Sequence, residues 1–188
     1  LALEEDFFVN YGFLPRAHQA LLQPRPWPAH WDGQRSAQAL AIADFVAARA
    51  PVHPRQVDAE FSHGTASNWF GGAARSAPSC SMHCITWGGC GWPGVRGGIR
   101  LYAPPHPQPT PALDPDARAD ALIALVVGLY APLPATSLSQ LVGYLGRGLP
   151  HFRPQLRAAL GRARQQLGQA RVEGVDWYWH ANEQPDAS

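Results

Sequence analysis

The sequence predicts a mainly α protein with small β-wings, built as tandem winged helix-turn-helix domains of which the first is damaged. Three observations predict it. Residues 35–104 and 116–188 each run through helical periodicity and finish in a short alternating, strand-like pattern. A proline-rich run, "PPHPQPTPALDP", stands between them as a linker over 105–115. Within the first stretch, the segment Arg75–Arg100, "RSAPSCSMHCITWGGCGWPGVRGGIR", holds all three cysteines and the only methionine, and it sits where a third helix belongs.

Residues 1–34 are expected to be the C-terminal remnant of an upstream domain and a Pro/Trp-rich connector, so the chain is read as a piece of a longer protein. Glu4, Glu5 and Asp6 fit a helix N-terminus, where the dipole favours carboxylates. From Ser36 the pattern turns helical, with Ala39, Ile42, Phe45 and Val46 on one face, and Pro51 stops that helix. Pro54 opens the next helix at a position where its missing N–H is harmless, with Val57 and Phe61 one turn apart. "GGIRLYAPP" reads as a strand in which Ile99 and Leu101 alternate with Arg100 and Tyr102.

The second half repeats the order. Leu122, Leu125, Val126 and Leu129 mark a helix that Pro132 ends. Thr136 or Ser137 is expected to cap a second helix with Leu138, Leu141, Val142 and Leu145 on one face. A third opens at Pro154 and aligns Leu156, Leu160, Ala163 and Leu167. Glu173-Gly174 then turns the chain, and Val175, Trp177 and Trp179 alternate with Asp176 and Tyr178. On the third helix Arg153, Arg157 and Arg164 fall within about 40° of one another, beside the leucine face, as a stripe that can follow a phosphate backbone. A solvated arginine-rich face is the alternative.

At 188 residues and 46% hydrophobic the chain can bury a core in one or two domains. No run approaches the roughly 18 apolar residues of a membrane span, and no secretory leader pattern opens the chain, so a cytoplasmic location and no membrane partner are expected. The net charge of +1 excludes a strongly basic tail but not a local basic face. All fifteen basic residues are arginine. Codon usage in a GC-rich genome explains that, as does use of arginine for anion contacts.

Cys80, His83, Cys84 and Cys90 are the residue types of a zinc site, but spacings of C-x3-C and C-x5-C miss the usual C-x2-C knuckle, so no metal and no cofactor are expected. A shifted reading frame over 77–97 fits better. In the frame starting one base earlier, Met82-His83 forces alanine, His83-Cys84 leucine, Trp87-Gly88 glycine and Trp92-Pro93 alanine. With G or C in most third positions the segment becomes approximately "TKLLDALHYLGRLRVARR", an amphipathic helix and a strand running into "GGIRLYAP". As written, the segment is expected to be poorly ordered over 76–97, because it contains Pro78, Pro93 and many glycines.

"EEDFFVNYGFLPR", "HPRQVDAEFSHG", "NWFGG", "GGIRLYAP", "LYAPLPATSLSQLVGYL" and "ARVEGVDWYW" together resemble the bacterial YcaQ/AlkZ-like family, winged-helix proteins that include crosslink-repair DNA glycosylases. The resemblance covers nearly the whole chain outside the shifted segment. It implies tandem winged helices that cradle double-stranded DNA, with excision of alkylated or crosslinked bases in full-length relatives. The family's catalytic signature, glutamine-x-glutamine or glutamine-x-aspartate, lies upstream of the segment matched by "EEDFFVNYGFLPR", so the catalytic residues of this chain are unknown and activity in it is not expected. Gln56-Val57-Asp58 copies the pattern, but on a helix where Val57 faces the core. Excision needs a carboxylate or water-orienting amide in a rigid pocket, and no carboxylate pair here has identifying spacing.

The DNA-binding candidates are therefore Asn68, just before the expected first recognition helix, Arg75 at its start, Arg100 on the wing strand, and Arg153, Arg157 and Arg164 in the second domain. His53 is read as a residue at a helix start, His63 as loop and Trp69 as core. A non-catalytic, transcription-regulator-like DNA-binding module is the alternative function, and a small zinc-binding interaction protein a third. Oligomeric state is left open.

Overall fold

The computed structural model describes residues 3–26, 33–61, 65–67, 73–75, 95–104 and 112–183. The protein is mainly helical with small antiparallel sheets, a winged-helix-like make-up. Two compact units are distinguished: Leu1–Asp6, Phe13–Gln19 and Gln23–Pro109 form one, and Phe7–Gly12, Ala20–Leu22 and Thr110–Ser188 the other.

The chain opens with strands β1 (Leu3–Phe7) and β2 (Tyr11–Pro15), which pair, followed by helix α1 (Arg16–Leu22). The helix expected to begin at Glu4-Glu5-Asp6 is therefore a strand. Asp6 explains why: it is fully buried, accepts hydrogen bonds from Gln23 at 3.1 Å and from the Arg25 guanidinium, and so faces inward as a strand side chain instead of lying at an exposed helix end.

The rest of the first unit centres on α2 (Gly33–Arg49) and α3 (Pro54–Phe61). Ala39, Ile42 and Val46 share the core with Val52 and Val57, all at most 1% exposed, and Phe45 meets the Phe61 ring edge-on at 5.4 Å. The helical spacing read from the sequence thus marks the face that is buried. At the start of α3, His53 Nδ1 accepts from Arg55 N at 3.1 Å while Gln56 Oε1 accepts from His53 N at 2.8 Å, a reciprocal cap. Val52 bridges Tyr102 through two 2.8 Å backbone hydrogen bonds. Two short hairpins complete the described residues of this unit: β3 (Thr65–Ser67) with β4 (Ala73–Arg75), and β5 (Val95–Arg96) with β6 (Ile99–Arg100). Gly97 and Gly98 turn the second hairpin with φ of 58° and 77°. The reading of a shifted, poorly ordered segment falls mostly on 76–94, outside the described residues.

In the second unit α4 (Pro115–Tyr130) is capped by Asp114, whose carboxylate accepts from the backbone N–H of Asp116 and Ala117 at 2.9 Å. Strand β7 (Leu133–Pro134) leads directly into α5 (Ala135–Gly148). The cap expected at Thr136 or Ser137 is absent because β7 is held by pairing with the last strand, so the helix starts at Ala135 with no side-chain cap. A turn of 3-10 helix, Pro150–Phe152, joins α5 to α6 (Arg153–Gln166). Leu122, Ile123 and Val126 from α4, Leu138 and Leu145 from α5, and Leu156 from α6 are almost wholly buried together. Leu129, expected on the core face, is 55% exposed, since it lies in the last turn of α4, beyond the packed face.

Strands β8 (Gly168–Val172) and β9 (Val175–Trp179) close the unit in the sheet order β7-β9-β8. Glu173 and Gly174 turn between them with φ of 49° and 81°, the two left-handed residues that a tight hairpin needs. Both units follow their long helix with an Ala-Pro step and pair the next residue with a tyrosine, Val52 with Tyr102 and Leu133 with Tyr178.

Candidate nucleic-acid interface

Helices α5 and α6 flank a groove of about 230 Å3 floored by Val142, Leu156 and Leu160. Gly143 and Gly146 form the α5 wall, and Arg153 and Arg157 stand on the α6 side. Gly146 is buried so closely that an added Cβ would lie 3.4 Å from Arg153 Cγ. Around Gly143 the space is open. This close approach lets Arg153 Nε donate to the Gly146 carbonyl at 2.9 Å, near the end of α5 where carbonyls lack helical partners.

About three turns on from Arg153, Arg164 Nη2 donates to Ser139 Oγ at 2.7 Å, and that hydroxyl donates to Ala135 O at 2.8 Å. Arg164 is half-buried and braces α6 against the first turn of α5, whereas Arg153 and Arg157 are exposed. Arg147, in the last turn of α5, lies 4.9 Å from the Tyr144 ring. The three arginines aligned by the α6 spacing therefore do lie along the α5 side. Their environments differ, which helical spacing alone does not reveal.

The remaining arginines of this unit are engaged elsewhere. Arg162 donates through Nε and Nη2 to Asp120 at 3.0 and 2.8 Å. That hydrogen bond, opposed by burial and reinforced by the charges of Asp120, Asp116 and Asp114, holds its pKa above the ordinary arginine value. Arg171 lies 3.7 Å from Asp176, its cross-strand partner. Arg118 is buried, donates to the Leu21 carbonyl and lies over the Phe152 ring.

The distribution of charge along the chain carries a signal that helical spacing does not. From Ala121 to Val172 the chain contains no aspartate or glutamate but six arginines. With Arg162 and Arg171 paired, Arg147, Arg153, Arg157 and Arg164 are left without a carboxylate partner among the described residues. A second, larger groove of about 370 Å3 between α4, α6 and the end of β9 has Ile123 and Val127 in its wall and Asp120 at its rim. That carboxylate makes it the poorer place for a polyanion.

Of the first unit's candidates, Asn68 lies outside the described residues, as do Trp69, His63 and the cysteine cluster. Arg75 ends β4 opposite Thr65, so the expected helix start there is a strand residue, drawn into the β3–β4 ladder. Arg100 lies on β6 opposite Val95, on a strand as expected. Gln56 and Asp58 sit on α3 with Val57 buried between them, and the Gln56 amide is committed to the His53 cap. A second copy of the pattern, Gln184-Pro185-Asp186, lies outside the described residues. Among the described residues no cluster of metal-ligating side chains occurs and no helix is long and apolar enough to cross a membrane.

No curated protein and no solved structure matches the chain. A family profile described as DNA glycosylase AlkZ-like matches residues 7–188, nearly the whole chain. The chain belongs to the AlkZ-like DNA glycosylase family.

Proposed function

We propose that this chain is a duplex-DNA-binding part of an AlkZ-like glycosylase, built from tandem winged helices, with base excision belonging to the full-length relatives. The observation that carries the reading is the acid-free pair α5 and α6, on which four arginines have no carboxylate partner among the described residues. A polyanion is the ligand that such a surface favours, and a winged helix presents its second and third helices to DNA. The recurrence of the Ala-Pro step and the strand-to-tyrosine pairing in both units supports the tandem reading. The shared family description supports DNA as the substrate class.

Fluorescence anisotropy with a labelled duplex across a salt series tests it. If four arginines each neutralise one phosphate, the logarithm of the binding constant falls against the logarithm of salt with a slope between about −3 and −4. Binding that is absent, or insensitive to salt, would overturn the reading. A transcription-regulator-like module, the competing function, would discriminate strongly between unrelated duplexes of equal length.

A further inference from the structure

We propose that the groove between α5 and α6 seats the sugar-phosphate backbone of one DNA strand, and that the outward crest of α6 does not read bases; the proposal rests on the DNA-binding reading above. Arg153, Arg157 and Arg164 lie along the α5 side of α6, and Arg153 and Arg157 line the groove itself. The crest of α6, opposite the buried Leu156 and Ala159, carries Pro154, Ala158, Gly161 and Gln165, all exposed. Base edges in the major groove are read by forked or amide side chains, and of these four residues Gln165 alone has one.

The groove has what a phosphate needs. Of the three arginines on this side of α6, two are held in place before any ligand arrives, Arg153 in the groove by the Gly146 carbonyl and Arg164 beside it by Ser139. A guanidinium carries five donors, so each keeps others to offer an anion. Gly143 presents bare backbone on the facing wall with nothing within 4 Å of its Cβ direction, leaving room for a chain of sugars and phosphates to approach closely. No carboxylate occurs anywhere between Ala121 and Val172 to repel it. Held this way, DNA is recognised by its backbone and not by its sequence.

The test compares two glycine positions in the 188-residue chain, using two labelled duplexes of unrelated sequence. Gly143→Glu puts a carboxylate on the groove wall, and Gly161→Glu puts the same charge on the crest, where an added Cβ also meets nothing within 4 Å. Both exchange helix-interior glycine for a better helix former, so thermal melts should show the fold kept or strengthened. Gly143→Glu is expected to weaken binding about tenfold or more, equally for both duplexes, and Gly161→Glu clearly less. Arg157→Ala, which needs no new side chain in the groove, is expected to lower the salt slope by about 1 on both duplexes.

Equal damage from the two glutamates, or a loss that depends on duplex sequence, would overturn the proposal in favour of a reading crest. Unchanged binding by Gly143→Glu and Arg157→Ala, with wild type bound, would place the DNA elsewhere. Failure of the wild-type chain to bind either duplex would sink the DNA-binding reading itself.

Discussion

Individual residues in this protein carry constraints of unequal strength, and two of them give sharp expectations. Asp6 and Arg25 form a buried ion pair, with side chains 0% and 1% exposed. Removing one member of such a pair leaves a charge stranded away from water, so Asp6→Ala is expected to destabilise the first unit by about 3–5 kcal/mol. Urea denaturation measures it, and a change within error of zero would show that the carboxylate is not needed to hold Arg25. Gly168 faces a different constraint: a Cβ there would lie 2.5 Å from Trp179 Nε1, its cross-strand partner. Gly168→Ala must push the indole or the strand aside, an overpacking loss of about 1–3 kcal/mol seen as a lowered melting temperature. Neither constraint was legible in the sequence. Glu4-Glu5-Asp6 looks like an exposed acidic cluster until the fold brings Arg25 and Gln23 to Asp6, and a lone glycine at a strand start does not announce the tryptophan beside it.

Elements were more legible than residues, because burial periodicity survives without knowledge of partners. Ala39, Ile42 and Val46 on α2, and Leu138, Val142 and Leu145 on α5, are the buried faces that the spacing predicts. The Glu173-Gly174 turn is readable from its glycine, whereas the left-handed φ of 49° at Glu173 is not announced by its residue type. What failed was local signal overridden by tertiary context: serine and threonine at the start of α5 look like caps, yet pairing of β7 with β9 fixes the helix start ahead of them. The catalytic-looking Gln56-Val57-Asp58 also resolves at this scale, since the Gln56 amide closes the cap of α3. Gln56→Ala is expected to destabilise the protein by about 0.5–2 kcal/mol, readable by thermal melting, while leaving DNA affinity unchanged. A loss of DNA affinity with an unchanged melt would return Gln56 to the functional candidates. The second unit supplies a helix, α6, between α5 and its final hairpin. On the tandem reading proposed above, the stretch between β4 and β5 is where the shifted frame would supply the matching amphipathic helix, so resequencing the gene is expected to reveal a compensating pair of single-base changes near codons 77 and 97. An uninterrupted written frame would refute that.

For the whole molecule, the instructive quantity is where its near-neutral charge is placed. Fourteen acidic residues balance fifteen arginines, but residues 61–113 and 121–172 hold none of the acids and nine of the arginines, three in the first run and six in the second. The sum of +1 therefore conceals two acid-free, arginine-bearing runs, separated in sequence by Asp114, Asp116 and Asp120. The same segregation bears on chemistry. Excising a base requires stabilising positive charge that develops on the sugar, for which a carboxylate or a water-orienting amide must reach the reacting carbon. The surface on α5 and α6 that we propose holds the backbone through arginine has no carboxylate to offer, and its arginines raise the energy of a cationic transition state instead of lowering it; its amides Gln140 and Gln165 stand on exposed helix faces and not in a rigid pocket. On that proposed reading the chain is expected to bind an alkylated duplex and release no base from it. The measurement is an abasic-site assay, by alkaline cleavage of end-labelled DNA, at protein concentrations where anisotropy shows the duplex bound. Base release in proportion to bound chain would overturn the expectation, and would require an acid from outside both runs, such as Asp58 or Glu183, to reach the DNA.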